Sequence, residues 1–175
     1  MKLFKILAGI TLMLSLTACP GGGSGGGADG NSPFGASGII SLNGTDANSI
    51  GDSLVVAEVR AVAQSASLPD YVVIGSEGTT DEEIDPINIP DPNNMFLIVV
   101  NQNFPTGSIN SAISMTIRAN GVDYSYICYN PGASYIDCGS GINVNIAEKK
   151  VSFVNVDVEN TDSSEILRLN GEVSW

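Results

Sequence analysis

The carboxylates are the most numerous residues of this sequence that could do chemistry. The 175 residues include 19 aspartates and glutamates, seven lysines and arginines and no histidine. Without an imidazole the chain cannot form a Ser-His-Asp or Cys-His relay, an HExxH zinc site or an imidazole proton shuttle. Paired carboxylates, as in glycosidases, and a serine-lysine arrangement are the catalytic chemistries that remain. Since no residue set indicates a specific reaction, we expect a non-catalytic protein.

The densest acidity is the run DEEID. Its members Asp81, Glu83 and Asp85 alternate and could direct oxygens at a hard cation such as calcium, with Asp91 as a further ligand. The run lacks the glycine and terminal glutamate of an EF-hand loop. It lies in residues 75–94, a long stretch without a strand pattern, and such stretches are functional or disordered. A calcium site and a solvated mobile loop both stay open, and we favour the loop.

Cys19 ends a segment with the pattern of a bacterial signal peptide. Residues 1–5 are basic, and residues 6–16 form an apolar run. This run is too short for the roughly 20 apolar residues of a membrane-spanning helix. Residues 16–19, LTAC, resemble the lipobox at which lipoprotein signal peptidase cuts before the cysteine. The resemblance implies removal of residues 1–18 and lipidation of Cys19; the alternative is an ordinary secretory peptide cut at the same small residues.

The segment after Cys19 has the composition of a tether. Residues 20–37 read PGGGSGGGADGNSPFGAS, which cannot bury enough apolar surface to offset ordering entropy. A flexible chain of this length has a root-mean-square reach on the order of 23 Å. We therefore expect a lipidated tether over residues 19–37 and one β-domain over residues 38–175 that stays near the bilayer without lying on it.

Charge and the residues after Cys19 indicate a location. Pro20 and Gly21 replace the aspartate that retains enterobacterial lipoproteins in the inner membrane, so we expect the outer membrane of a Gram-negative envelope. Loss of Lys2 and Lys5 with the signal peptide changes the formal charge from −12 to −14. This acidity argues against nucleic acid and anionic lipid surfaces as partners and permits calcium or a cationic protein.

The other two cysteines predict a disulfide. Nine residues, including a Pro-Gly turn, separate Cys128 from Cys138, and an exported chain meets an oxidising compartment. Closing this loop contributes about 3 kcal/mol in the chain-entropy model. Two thiols without histidine do not complete a zinc site, and the spacing is not that of a CxxC oxidoreductase.

The domain shows a periodicity of two, which indicates strands that are buried on one face. In residues 152–158, for example, Val154, Val156 and Val158 share one face. The candidate strands are residues 38–42, 54–62, 71–74, 95–101, 113–117, 122–128, 142–146, 152–158 and 167–175. Asn120-Gly121 predicts a hairpin turn. These elements predict an all-β, antiparallel sandwich or small barrel of about eight or nine strands. One segment, residues 55–64, could instead form a helix.

Tyrosines cluster around the predicted disulfide. Tyr124 and Tyr126 share a strand face, and we favour core packing for them over a recognition platform. For Tyr129 and Tyr135 both a core position and a binding surface stay open. Lys149 and Lys150 are adjacent in a predicted turn and are interpreted as solvated hairpin residues.

The mature region as a whole resembles a group of proteobacterial lipoproteins with no assigned activity. The shared features are SYICY, the second cysteine before Gly-Ser-Gly, VNVDVEN and the closing LNGEVSW. The resemblance implies a small β-domain on an outer-membrane lipid anchor. A fainter likeness links the chain to lipid-anchored lysozyme inhibitors, whose Ser-Gly-x-Arg-Tyr loop is missing here.

We therefore expect a membrane-anchored, non-catalytic binding or scaffold module with an unknown envelope protein as partner. The first alternative is a calcium- or carbohydrate-binding adhesion module, the second a carboxylate-based hydrolase, and the most distant a lysozyme inhibitor.

Overall fold

The structure is a computed structural model that describes residues 35–62, 70–79, 91–102, 109–132 and 134–175. The predicted signal peptide, the lipidation of Cys19 and most of the tether lie outside these ranges. Within them no helix has the length and apolar character needed to cross a membrane.

The described ranges form nine strands and one short helix. In chain order they are β1 (Gly35–Gly44), α1 (Ala47–Ile50), β2 (Ser53–Val62), β3 (Asp70–Gly75), β4 (Met95–Gln102), β5 (Ser111–Ala119), β6 (Val122–Asn130), β7 (Ile142–Asn145), β8 (Lys150–Asn160) and β9 (Ile166–Ser174). β1 begins within the segment assigned to the tether, because Ser37 pairs with Ser174 of β9.

Eight antiparallel strands close into a barrel, and one extra strand lies beside it. The strand order is β6-β5-β4-β3-β2-β1-β9-β8, with β8 pairing back to β6 and β7 added to β8. The prediction of an all-β antiparallel fold is confirmed, and the structure is a barrel rather than a sandwich. In the described ranges, closure pairs β6 with β8 and so reduces the sheet edge that is open to a neighbouring chain.

Alternate side chains of the strands fill the barrel interior. An eight-stranded barrel is just wide enough for its own side chains, so the interior becomes the hydrophobic core. The core side chains with 0% exposure are Ile40, Val72, Ile74, Ile98, Val100, Ile113, Cys128, Val151, Val156, Val158, Leu167, Leu169 and Val173. Burial of apolar surface at about 25 cal/mol per Å² makes this core the main stabilising contribution.

β2 is the element in which helix propensity and strand pairing compete. The helical alternative is wrong for its described part, because Leu54 pairs with Ile40 of β1 and Val59 with Ile74 of β3. Pairing on both edges outweighs helix propensities that differ by less than about 1 kcal/mol per residue.

β8 departs from the predicted alternation at Val154. The sequence placed Val154 on one face with Val156, but Val154 is 60% exposed while Phe153 and Val156 are buried. The β8–β9 register shifts between Phe153 and Val156, and Asn155 adopts a φ of 51°. The prediction is wrong because this bulge moves the alternation by one residue. Asn155 suits the position, since asparagine tolerates the left-handed region.

The up-and-down connections define two barrel ends. At the end that we call the base, β1 begins, β9 ends and β7 turns into β8. At the opposite end, the cap end, β1 continues into α1, which packs Ala47 and Ile50 against the core. The predicted hairpin also lies at the cap end, where Asn120 and Gly121 take φ values of 51° and 80° between β5 and β6.

The barrel closes between β6 and β8 at a contact that we call the seam. Its described ladder consists of Tyr126↔Asn160 and Ile127↔Glu159. Towards the base, β8 pairs with β7 instead, and Gln102 Nε2 of β4 donates a hydrogen bond to the Val144 carbonyl of β7 at 3.3 Å. The seam is therefore the least paired part of the barrel wall.

Candidate functional site

The predicted disulfide forms beside the seam. Cys128 of β6 and Cys138 are joined with a Cα–Cα distance of 5.2 Å, and their exposures are 0% and 2%. Cys128 faces the interior because it follows Tyr126 by two residues on the same strand. The bond therefore ties the loop of residues 128–138, which we call the disulfide loop, to the barrel core.

The disulfide loop folds back along the edge of β6. The Tyr129 amide donates to the Ile136 carbonyl at 3.1 Å, and the Cys138 amide donates to the Tyr129 carbonyl at 3.0 Å. The Ile136 amide donates to Glu159 Oε2 at 3.1 Å, which links the loop to β8. These bonds satisfy the β6 edge beyond the two seam pairs, since an unpaired edge would leave its backbone groups without partners.

The disulfide loop presents an aromatic pair on the outer wall. The ring centroids of Tyr129 and Tyr135 lie 6.2 Å apart with an interplanar angle of 42°. Tyr129 is half-buried and Tyr135 is 37% exposed. Asp137 and Asn130 border the pair, and both bind Gly139, through its amide and its carbonyl respectively. The arrangement offers a stacking surface with hydrogen-bonding groups beside it.

Tyr124 and Tyr126 occupy the core, in agreement with the favoured prediction. Tyr126 is 1% exposed, and Tyr124 packs against the core from a half-buried position. Both side chains lie on the interior face of β6, so the alternative interpretation, in which this pair forms a recognition platform, is wrong.

A partly buried polar cluster lies at the cap end of the seam. Asp46 Oδ2, just before α1, accepts hydrogen bonds from the Tyr126 hydroxyl at 2.7 Å and from Asn160 Nδ2 at 2.8 Å. Asn160 Oδ1 in turn accepts the amides of Asp162 and Ser163 at 2.9 and 3.2 Å. Burial, and then the bond to the Asp46 carboxylate, raise the pKa of the Tyr126 phenol well above its ordinary value.

This cluster stabilises the fold by joining three distant segments. Tyr126 and Asn160 are ladder partners at the seam, and Asp46 binds both of them through one oxygen atom. Every buried side-chain polar atom in the described ranges has a hydrogen-bond partner. The sequence reasoning missed Asp46 and Asn160, since their sequence separations from their partners leave no local signal.

The acidic residues Asp81, Glu83 and Asp85 lie outside the described residues. Asp91 is described, and its carboxylate accepts the Asn93 amide at 3.0 Å and Asn94 Nδ2 at 2.9 Å. The bond from the Asn94 side chain, followed by that from the Asn93 backbone, lowers the pKa of Asp91. Asp91 thus shapes a turn. Within the described ranges, no three Asp, Glu, His or Cys side chains are grouped to hold a metal ion.

Basic side chains of the described domain engage carboxylates on the outer wall. The ion pairs include Arg118–Asp123 at 2.6 Å, Lys150–Glu172 at 3.0 Å and Arg168–Asp157 at 2.6 Å. Lys149 and Lys150 are both exposed at the β7–β8 turn, as predicted. Exposed ion pairs contribute less than about 1 kcal/mol each to stability. The surface stays acidic because the 19 acids outnumber the seven bases of the chain.

Comparisons of the chain with protein-family models, with curated proteins and with solved structures gave no match. The disulfide loop with Tyr129 and Tyr135 is therefore selected on its geometry as the candidate recognition site.

Proposed function

We propose that this chain is a lipid-anchored, non-catalytic lipoprotein of the bacterial envelope that binds a protein partner through Tyr129 and Tyr135. The observation that carries the proposal is an aromatic pair held outside the barrel by a disulfide-bonded loop. Tyrosine supplies large, rigid contact area with a polar end, which makes it frequent at the energetic centres of interfaces.

The packing of the barrel supports recognition by its outer surface. The interior is occupied by the core side chains, so a ligand meets this domain from outside. The disulfide and the bonds to β6 hold the loop before binding, which reduces the ordering entropy that binding costs. An acidic surface with paired bases favours a partner with a cationic patch.

The proposed anchor is the lipid on Cys19, supported by the lipobox-like LTAC run. More than one acyl chain gives stable membrane attachment, whereas a single chain binds reversibly. The test is metabolic labelling with a palmitate analogue and fractionation of outer and inner membranes. Wild-type protein should carry the label and sediment with the outer membrane, while Cys19→Ala should lose the label and enter the soluble fraction.

The proposed recognition site is tested by site-specific photocrosslinking in the native cells. A crosslinking residue at Tyr135 should give one stoichiometric adduct, to be identified by mass spectrometry. The matched control places the same residue at Val122, which is 54% exposed at the cap end. An adduct from both positions, or one that persists in the Tyr129→Ser variant, would contradict binding by the tyrosine pair.

The tilted tyrosine pair also favours a second candidate, a carbohydrate-binding adhesion module. Aromatic faces stack on sugar rings, and the Asp137 carboxylate beside the pair, whose Oδ1 accepts the Gly139 amide, can accept further hydrogen bonds from hydroxyl groups. A glycan array separates the two candidates. Saccharide binding that disappears in Tyr135→Ala would favour the adhesion module, whereas a protein adduct without saccharide binding would favour the first proposal.

A further inference from the structure

The N-terminal segment joins the barrel at its base. β1 begins there at Gly35, and the Ser37 and Ser174 hydroxyls lie 3.2 Å apart across the β1–β9 ladder. The Trp175 amide donates to the Lys149 carbonyl at 3.1 Å. Trp175, the start of β1 and the β7–β8 turn are therefore neighbours at the end of the barrel where residues 1–34 connect.

The two ends of the barrel differ in charge and chemistry. The base carries Trp175 and the exposed Lys149 and Lys150, together with the carboxylates of Glu148, Asp70 and Glu172, the last of which pairs with Lys150. Trp175 is half-buried and packs against the core. The cap end, in contrast, carries a series of carboxylates. Those in the described ranges include Asp46, Asp52, Glu77, Asp91, Asp162 and Glu165, beside the ion pair of Arg118 with Asp123.

We propose that the base is a bilayer-docking surface that places Trp175 in the headgroup layer of the membrane. The inference rests on the proposed lipid anchor at Cys19. It revises two expectations, that the domain does not lie on the bilayer and that its acidity argues against anionic lipid surfaces, the second of which used the charge of the whole chain. The base combines lysines with carboxylates, whereas carboxylates predominate at the other end.

Three physical effects favour this orientation. Tryptophan is enriched at membrane–water interfaces, where its ring lies against apolar chains and its N–H stays hydrated. Anionic headgroups repel the carboxylates of the cap end within a Debye length of about 10 Å, so the domain turns that end outward. Residues 1–34 join the barrel at the base, so a lipid on Cys19 keeps the base near the bilayer and a weak contact is sufficient.

The sequence provides the probe, since Trp175 is its single tryptophan. The purified mature lipoprotein is reconstituted in vesicles of phosphatidylethanolamine and phosphatidylglycerol, and flotation measures membrane attachment. Tryptophan emission is then compared between vesicles with and without phospholipid brominated near the headgroup. We expect loss of most of the Trp175 emission in the brominated vesicles.

The matched control moves the tryptophan to the cap end. The variant Trp175→Phe with Val122→Trp should keep its emission in brominated vesicles, and circular dichroism verifies that it is folded. Vesicles in which the protein floats while Trp175 is unquenched would overturn the docking surface and leave the anchor in place. Quenching at position 122 would overturn the orientation. A protein that does not float would remove the lipid anchor, and the docking surface with it.

Discussion

Reduction of the Cys128–Cys138 disulfide should cost about 3 kcal/mol of the unfolding free energy. The bond closes a loop with a sequence separation of 10, and the chain-entropy model assigns about 3 kcal/mol to a loop of this size. For a domain of this length, such a loss lowers the melting temperature by about 10 °C. The core side chains keep their chemistry on reduction, so the change reports the constraint itself.

Urea denaturation followed by far-ultraviolet circular dichroism measures this change, with and without a phosphine reductant. The double variant Cys128→Ala with Cys138→Ala is the control, because its midpoint should not respond to reductant. Hydrogen exchange adds a local measurement. The amides of Tyr129 and Cys138 hold the disulfide loop to β6, and their protection should fall more on reduction than that of the β1–β9 ladder.

A loss below about 1 kcal/mol would refute the reasoning, since it would mean that the unfolded chain already keeps the two cysteines close together without the bond. Equal loss of protection in the disulfide loop and in the β1–β9 ladder would also refute it. In that case the bond would stabilise the whole domain uniformly and would not specifically fix the surface that carries Tyr129 and Tyr135.

Three further perturbations test the packing. Tyr126→Phe should remove a pH dependence of the unfolding free energy. The raised folded-state pKa of Tyr126 stabilises the protein below about pH 10, and this contribution is lost as the pH rises further. Urea denaturation from about pH 8 to about pH 11 should therefore show a steeper loss of stability in the wild type than in the variant. Asn160→Ala should cost about 2–3 kcal/mol, because two turn amides and Asp46 lose a partner, whereas the exposed Asn143→Ala should change the denaturation midpoint little. Gly171→Ala should cost about 2 kcal/mol or more in thermal unfolding, because a Cβ there would lie 2.3 Å from the Ile39 carbonyl oxygen; an unchanged melting temperature would show that β1 and β9 can separate freely.

Local patterns in the sequence predict the strands of this barrel but not its closure. The alternation of Ile113, Met115 and Ile117 predicts β5, because every second residue of a strand lies on the same face. Closure depends on the pairing of β6 with β8 and of β1 with β9, which join residues more than 30 and more than 120 positions apart. A sandwich and a barrel share the same alternation, so periodicity alone could not separate them.

In the candidate site too, local contacts were predictable from the sequence and distant contacts were not. The disulfide was predictable because a short loop with a turn and two thiols carries its signal in consecutive residues. The Asp46 cluster was not, because its hydrogen bonds link residues separated by 80 and 114 positions. The prediction for Val154 was wrong for a third reason. A bulge shifts the alternation of buried and exposed residues along a strand, and the residue types do not reveal where the shift occurs.

The Asp46 cluster and the disulfide loop both lie at the seam, the least paired part of the barrel wall. The seam has two ladder pairs, and Asp46 binds both residues of the first pair, Tyr126 and Asn160. Two residues further along β6, Cys128 binds Cys138 and fixes the disulfide loop over the strand edge that β8 leaves uncovered. The Asp46 cluster therefore holds the closure at the cap end, and the disulfide loop, whose Ile136 amide binds Glu159 of β8, supports it towards the base. Because Tyr129 directly follows Cys128, any loosening of the seam moves the tyrosine pair, which links the stability of the closure to the proposed recognition surface.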